Sequence, residues 1–153
     1  MHLAELTDPE LIFPDISGED SDAVLREFSQ RLAALGRVRK PERLFASLRE
    51  RERLGSTALG HGVAVPHCRL QGLSRVLVAV GLSRPGVDFS SEDGKLVHVF
   101  FVVVSPVSAA VEHLHCLAAI SKWVKKGHLE RILALSDPTE IYRLIDDAAE
   151  DYG

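Results

Sequence analysis

The chain has 153 residues, of which 46% are hydrophobic and 26% charged, with a net charge of −4 at neutral pH. That balance excludes a disordered or membrane-embedded chain, and the length suffices for one core without disulfide or metal, so a single domain over residues 1–153 is expected. The negative charge argues against a nucleic-acid partner, and the longest apolar run, residues 99–104, is far short of the roughly twenty residues that span a bilayer as a helix.

The first sixteen residues carry Glu5, Asp8, Glu10 and Asp15 among apolar neighbours. They lack the basic start and apolar centre of a signal peptide, so the mature protein is expected to begin here. Two cysteines, Cys68 and Cys116, suggest no disulfide framework, and a reducing cytoplasm is the expected location. Residues 3–13 read as a short ordered arm punctuated by Pro9 and Pro14. From about Asp20, Val24, Leu25, Phe28, Leu32 and Leu35 follow helical spacing, with Ser17 or Ser21 as the cap and Gly36 at the end. A second helix starts near Pro41, turns Leu44, Phe45 and Leu48 inward and stops at Gly55, which puts Arg51 and Arg53 in its last turn.

Residues 75–82 and 96–104 are almost unbroken apolar, β-branched runs, as expected of strands covered on both faces. Between them Arg84-Pro85-Gly86 and residues 90–94 read as turns, with a short strand at residues 87–89, so at least one antiparallel pairing is predicted. Beyond Pro106, Val111, Leu114, Leu117, Ala118, Ile120 and Val124 predict a helix that ends at Gly127, with His113 near its start. Leu129, Ile132 and Leu133 predict a short helix. Asp137-Pro138-Thr139-Glu140 opens a last one that buries Ile141, Leu144, Ile145 and Ala148. The sum is an α/β sandwich: a mixed sheet of about five strands flanked by helices on both faces, without internal repeats or linkers.

The chemistry concentrates in residues 51–70, where three arginines, three glycines, a short apolar strand and the step Pro66-His67 fall together. Gly60 and Gly62 suit a backbone held in an unusual conformation or close to a ligand. No Gly-x-x-x-x-Gly-Lys-Ser/Thr segment and no Gly-x-Gly-x-x-Gly helix opening is present, so no nucleotide cofactor is expected. A histidine after a strand is most often structural or merely exposed. His67 differs in its company: Arg51, Arg53 and Arg69 offer cations, and His113 sits near a helix N-terminus that favours anions. A neutral imidazole is a competent nucleophile, and phosphoryl transfer asks mainly for alignment and positive charge around the moving group.

Arg51-Glu52-Arg53-Leu54-Gly55-Ser56-Thr57, followed by Gly60 and Gly62-Val63-Ala64-Val65-Pro66-His67, resembles the phosphorylation segment of the fructose/mannitol/nitrogen-regulatory class of enzyme IIA proteins of the bacterial phosphotransferase system. Glu112-His113-Leu114 is similar to the segment that bears this family's second active-site histidine. The likeness runs over nearly the whole chain and leans toward the nitrogen-regulatory branch. It implies that His67 accepts a phosphoryl group from an HPr-type phosphoprotein, that Arg51 neutralises phosphoryl charge, and that His113 hydrogen-bonds at or near it. It implies that Ser56 and Thr57 shape the loop. It also implies an enzyme IIB or a regulatory protein as acceptor, and a mixed sheet between helices.

Three positions depart from the family's pattern: His61 where Asn is common, Cys68 where a small residue is usual, and His115 where Gln is frequent. Two alternatives follow from the residues. One is a purely regulatory binding module. The other is a zinc site drawn from His67, Cys68, His113 and Cys116, although tight Cys-x-x-Cys pairs are missing and Cys116 lies in an apolar stripe. His98 reads as a hydrogen-bonded core or edge residue, His2 and His128 as surface positions, and Trp123 as packing.

Overall fold

The computed structural model describes residues 2–150, and side chains over residues 2–147. The expected burial of Ala148 lies outside the described side chains. Two 3-10 turns, Leu3–Leu6 and Pro9–Leu11, lead into β1 (Ile12–Phe13). Then come α1 (Ser21–Ala34), α2 (Pro41–Leu54), β2 (Ala58–Gly60), β3 (Val63–Ala64), β4 (His67–Leu70), β5 (Leu77–Val87), β6 (Val97–Pro106), α3 (Ala110–Lys125), α4 (Leu129–Leu133) and α5 (Pro138–Glu150).

The helix boundaries follow the local chemistry. Asp20, not Ser17 or Ser21, caps α1, its carboxylate accepting from Ala23 N at 2.8 Å. Pro41 opens α2 and Gly55 follows its last residue, and the Asp137 carboxylate accepts from Thr139 N at 2.9 Å at the start of α5. No helix among the described residues is long and apolar enough to cross a membrane.

The sheet has six strands in the order β1-β5-β6-β3-β2, with β4 also pairing with β6. It is mixed: β5 and β6 are antiparallel, as are β2 and β3, whereas β1 runs parallel to β5 and both β3 and β4 run parallel to β6. The sixth strand is β1, which recruits the end of the N-terminal arm to the sheet. Arg84-Pro85-Gly86 is not a hairpin turn. These residues bulge from β5, whose register to β6 shifts between Leu82 and Val87, so that the strand resumes beyond the proline.

Alternation along β6 divides the core into two layers. Val99, Phe101 and Val103 pack with Cys116, Ile120 and Trp123 of α3 and with Ile141 and Ile145 of α5. Phe100, Val102 and Val104 pack with Phe28 and Leu32 of α1 and Leu44 and Leu48 of α2. Full burial of each such side chain contributes roughly 1.5–3 kcal/mol. Where β5 passes beneath α1, Gly81 leaves room for Phe28. An added Cβ would strike the edge of that ring and come within 2.7 Å of Ile16 Cγ1. Gly81→Ala is therefore expected to destabilise the fold by about 2 kcal/mol, measured by urea unfolding; an unchanged midpoint would mean that this layer has slack to absorb a methyl group.

Two features differ from the sequence expectation, and a third agrees with it. The inward stripe of α3 is His113, Cys116, Ile120, Trp123 and Val124, and Val111 and Leu114 face solvent at 63% and 65% exposure. His128 is buried, not at the surface, and packs on the Trp123 indole with ring centroids 4.8 Å apart. His98 keeps its expected role, with its Nδ1 3.0 Å from the Ser83 carbonyl oxygen.

Candidate active site

The arrangement around His67 begins with β4. This strand bonds to β6 along one side only, so its other side is an open sheet edge that side chains from both helical layers can reach. His67 pairs in register with Val103, and Arg69 with Ser105. Both therefore project toward the α3 layer, whereas Cys68 projects into the α1/α2 layer. Pro66 between β3 and β4 supplies no N–H, but its carbonyl accepts from Val103 N at 2.9 Å and holds the step against β6.

Two hydrogen bonds fix the imidazole of His67. Its Nδ1 lies 2.7 Å from the Val65 carbonyl oxygen, an acceptor only, so Nδ1 carries the proton. The lone pair is then on Nε2, where the Arg51 Nε–H donates to it at 3.2 Å. Arg51 arrives from the last turn of α2 and is anchored by a second bond, from NH1 to the Gly55 carbonyl at 2.8 Å. Arg53, equally near in sequence, is exposed and makes no such contact. Burial holds the pKa of His67 below its ordinary value. The Val65 bond and the Glu52 charge oppose that effect, and the Arg51 charge adds to it.

His113 comes from the first turns of α3, on the other side of the sheet from α2. Its ring centroid is 5.4 Å from that of His67, and its Nδ1 is 2.5 Å from the Ser105 hydroxyl oxygen. Burial, then the neighbouring His67 and Arg69, push its pKa down to about 4. Both rings are thus neutral at pH 7. Since their folded pKa values lie below the unfolded one of 6.5, the unfolded chain binds more protons in between. Stability is fully present above about 6.5 and is lost as the pH falls toward about 4. His113→Gln is expected to reduce the stability difference between pH 7 and pH 4 by on the order of 2 kcal/mol. Urea melts at the two pH values test this, and identical pH slopes for variant and wild type would remove His113 as the cause.

The loop between α2 and β3 is built around Glu52, a residue the sequence reading passed over. Its carboxylate accepts from Thr57 N at 2.7 Å and from Thr57 Oγ1 at 2.6 Å, while the Ser56 hydroxyl donates to the Phe89 carbonyl and accepts from Ala58 N. Gly60, His61 and Gly62 then adopt φ values of 80°, 57° and 76°. Three consecutive left-handed residues need glycine at two places, and at the middle one His and Asn are among the few side chains that adapt. That accounts for His61 in a position where the resemblance expects Asn. Asp93 ties this turn down through His61 N at 3.2 Å.

The zinc alternative gains no support. Cys68 and Cys116 lie on opposite faces of the sheet, burial pushes both thiols up to about 12, and no group of three or more His, Cys, Asp or Glu among the described residues is placed to hold a metal ion. His115 is exposed. What the geometry does provide is a neutral imidazole with its lone pair at Nε2, a guanidinium hydrogen-bonded to that lone pair, and a second neutral imidazole beside it. Such a group can attack an electrophilic phosphorus and leave the incoming negative charge next to a cation.

A three-layer α/β sandwich of this kind matches known proteins. Residues 5–148 match the family described as phosphoenolpyruvate-dependent sugar phosphotransferase system, EIIA 2, and the chain belongs to that family, a component of a phosphotransferase. It is 34% identical over 148 residues to a nitrogen regulatory protein of Bradyrhizobium diazoefficiens, covering 95% of each chain. Its fold superposes on the crystal structure of the nitrogen regulatory protein IIA-Ntr from Neisseria meningitidis with a TM-score of 0.80, at 28% identity over 94% of this chain and 98% of that one. It superposes also on enzyme IIA-mannitol in its complex with phosphorylated enzyme IIB-mannitol from Escherichia coli, with a TM-score of 0.72 at 20% identity, covering 93% and 99%.

Proposed function

We propose that this chain is a phosphohistidine carrier in which His67 Nε2 takes a phosphoryl group from an HPr-type phosphoprotein. The P–N bond of the donor phosphohistidine breaks as the Nε2–P bond forms, and the donor nitrogen recovers its electron pair. The observation that carries this reading is the pair of bonds on His67, which put the proton on Nδ1 and the reactive lone pair beside Arg51. In the free protein Arg51 donates to the lone pair that must attack, so the guanidinium has to turn from Nε2 to a phosphoryl oxygen during transfer. His113, held by Ser105, is the positioning partner on the other side. Ser56, Thr57, Gly60, Gly62 and Pro66 shape the loop and strand entry. Exposed Val111, Leu114 and Leu54 stand close in sequence to His113 and Arg51 and offer apolar contact to a docking protein.

Incubation with phosphoenolpyruvate, enzyme I and an HPr-type donor is expected to give an acid-labile, base-stable label. Phosphorus NMR of the denatured product should identify it as the Nε2 isomer. Label on Nδ1 would overturn the assignment of the attacking nitrogen.

The second reading, a regulatory module that uses its phosphorylation state as a signal, is favoured by the 34% identity to a protein named for nitrogen regulation, over 95% of both chains. Acceptance from the donor is common to both readings; they part at the onward step, to an enzyme IIB or to a regulated protein. Pull-downs with wild type, His67→Asp and His67→Ala separate them, since identical partner sets from all three would count against a switch.

A further inference from the structure

Beyond the open edge of β4 lies a groove of about 800 Å³, walled by α2, the connection from α1 to α2, and the turn that follows β4. Five of the eighteen Lys and Arg residues line it: Arg37, Arg39, Lys40, Arg43 and Arg69. No Asp or Glu does. Arg37 is paired with Asp8 at 2.9 Å and Glu10 at 3.6 Å. Among the described residues, no ion pair involves Arg39, Lys40, Arg43 or Arg69.

In a chain with a net charge of −4, four unneutralised cations around one concavity make a local positive field that a bound anion would relieve. The helix adds to it. α2 begins at the groove, and Lys40 at its N-cap position provides no side-chain acceptor for the first N–H groups. The remaining wall is mixed: Val38, Leu70, Leu73 and the half-exposed Val107 give it apolar surface, and Ser47, Gln71 and Ser74 give it hydrogen-bonding groups. A ligand that fits must combine several negative charges with a body that has both an apolar face and hydrogen-bonding groups, and the volume lies within the range of small-molecule sites, roughly 300–1,000 Å³. An acidic protein segment fits less well, because β4 offers only four residues for strand addition and the turn at residues 71–74 follows it immediately.

We infer that this groove binds a nucleoside polyphosphate, with the phosphates among Arg39, Lys40, Arg43 and Arg69 and the nucleoside against Val38, Leu73 and Val107. The ligand is an effector and not a phosphoryl donor to His67. Arg69 belongs to both places, since its charge also acts on His113, so an occupied groove alters the field at that histidine. That last link rests on the carrier reading, whereas binding itself does not.

Isothermal titration of the full chain with magnesium-free ATP, with pyrophosphate and with an octaglutamate peptide tests the inference. ATP is expected to bind saturably, more weakly at higher salt, and more tightly than pyrophosphate or the peptide. The double variant R39Q/R43Q should weaken ATP at least about tenfold, the scale of one or two lost charge-assisted hydrogen bonds. K122Q/K125Q, which removes the same charge from exposed positions on α3, should bind like wild type, as should His67→Ala. Circular dichroism checks that each variant is folded. Equal affinity for pyrophosphate and ATP would overturn the nucleoside part of the inference, and tighter binding of the peptide would turn the groove into a protein-docking site. Loss of ATP binding in Arg51→Gln but not in R39Q/R43Q would move the ligand to the histidine pair. No heat with ATP at millimolar concentration would end the proposal.

Discussion

His67→Ala is expected to take up no phosphoryl group from the donor, its label falling to the level of a reaction without enzyme I. His113 is the only other imidazole against the site, and its Nδ1 is engaged by Ser105 at 2.5 Å. Burial holds Cys68 as a neutral thiol on the opposite face. The substitution removes a half-buried ring with two polar contacts at an edge, so the fold should lose no more than about 1 kcal/mol. Loss of label with an unchanged melting curve therefore reads as loss of the nucleophile. Persistent label would transfer the role to another residue, and mapping the modified peptide would identify which.

Arg51→Ala carries the second large effect. Its guanidinium lies 3.2 Å from Nε2, closer than any other cation described around the ring, and the group that arrives there brings two negative charges. Removing a preorganised donor of this kind costs about 10²–10³ in rate, and the loss should fall on kcat for acceptance rather than on KM for the donor protein. Arg51→Lys should recover only part of it, because a single ammonium cannot donate to Gly55 and to a phosphoryl oxygen in the forked geometry that guanidinium allows. Rapid-quench kinetics with labelled donor separates the two parameters. A rise in KM with kcat intact would make Arg51 a docking residue instead.

Much of this molecule was legible from local chemistry. α2 could be placed by Pro41 at its start and Gly55 at its end, and α5 by Asp137 and Pro138, because caps and prolines act within a few residues. His67 stood out because its cations and glycines lie within the same short stretch. The rotation of α3 was harder to read. Val111 and Leu114 satisfy helical spacing as well as Cys116, Ile120 and Trp123 do, and only the sheet beneath the helix decides which set turns inward. Likewise Pro85-Gly86 signals a break in any isolated strand, yet β6 continues alongside and carries β5 past the bulge. His128 was misplaced for a similar reason: its burial depends on Trp123 arriving from the preceding helix.

Glu52 and Ser105 show the same limit at the site. Each is an ordinary residue in its own segment, a charge on a charged helix and a serine at a strand end. Their value comes from contacts that cross elements, Glu52 fastening the loop at Thr57 and Ser105 orienting His113. A sequence motif marks the groups that react more readily than the groups that hold them still.

Placing His67 on an edge strand, paired on one side only, exposes the chain to a hazard. A free row of backbone donors and acceptors is a template on which another polypeptide can lay down a strand, and such edges seed aggregation. Here β4 is only four residues long, it starts directly after Pro66, and Arg69 stands exposed in its middle. Shortness, a missing N–H and a charge are the three devices that make strand addition unprofitable. The edge can thus stay open to solvent without recruiting copies of the chain into a growing sheet.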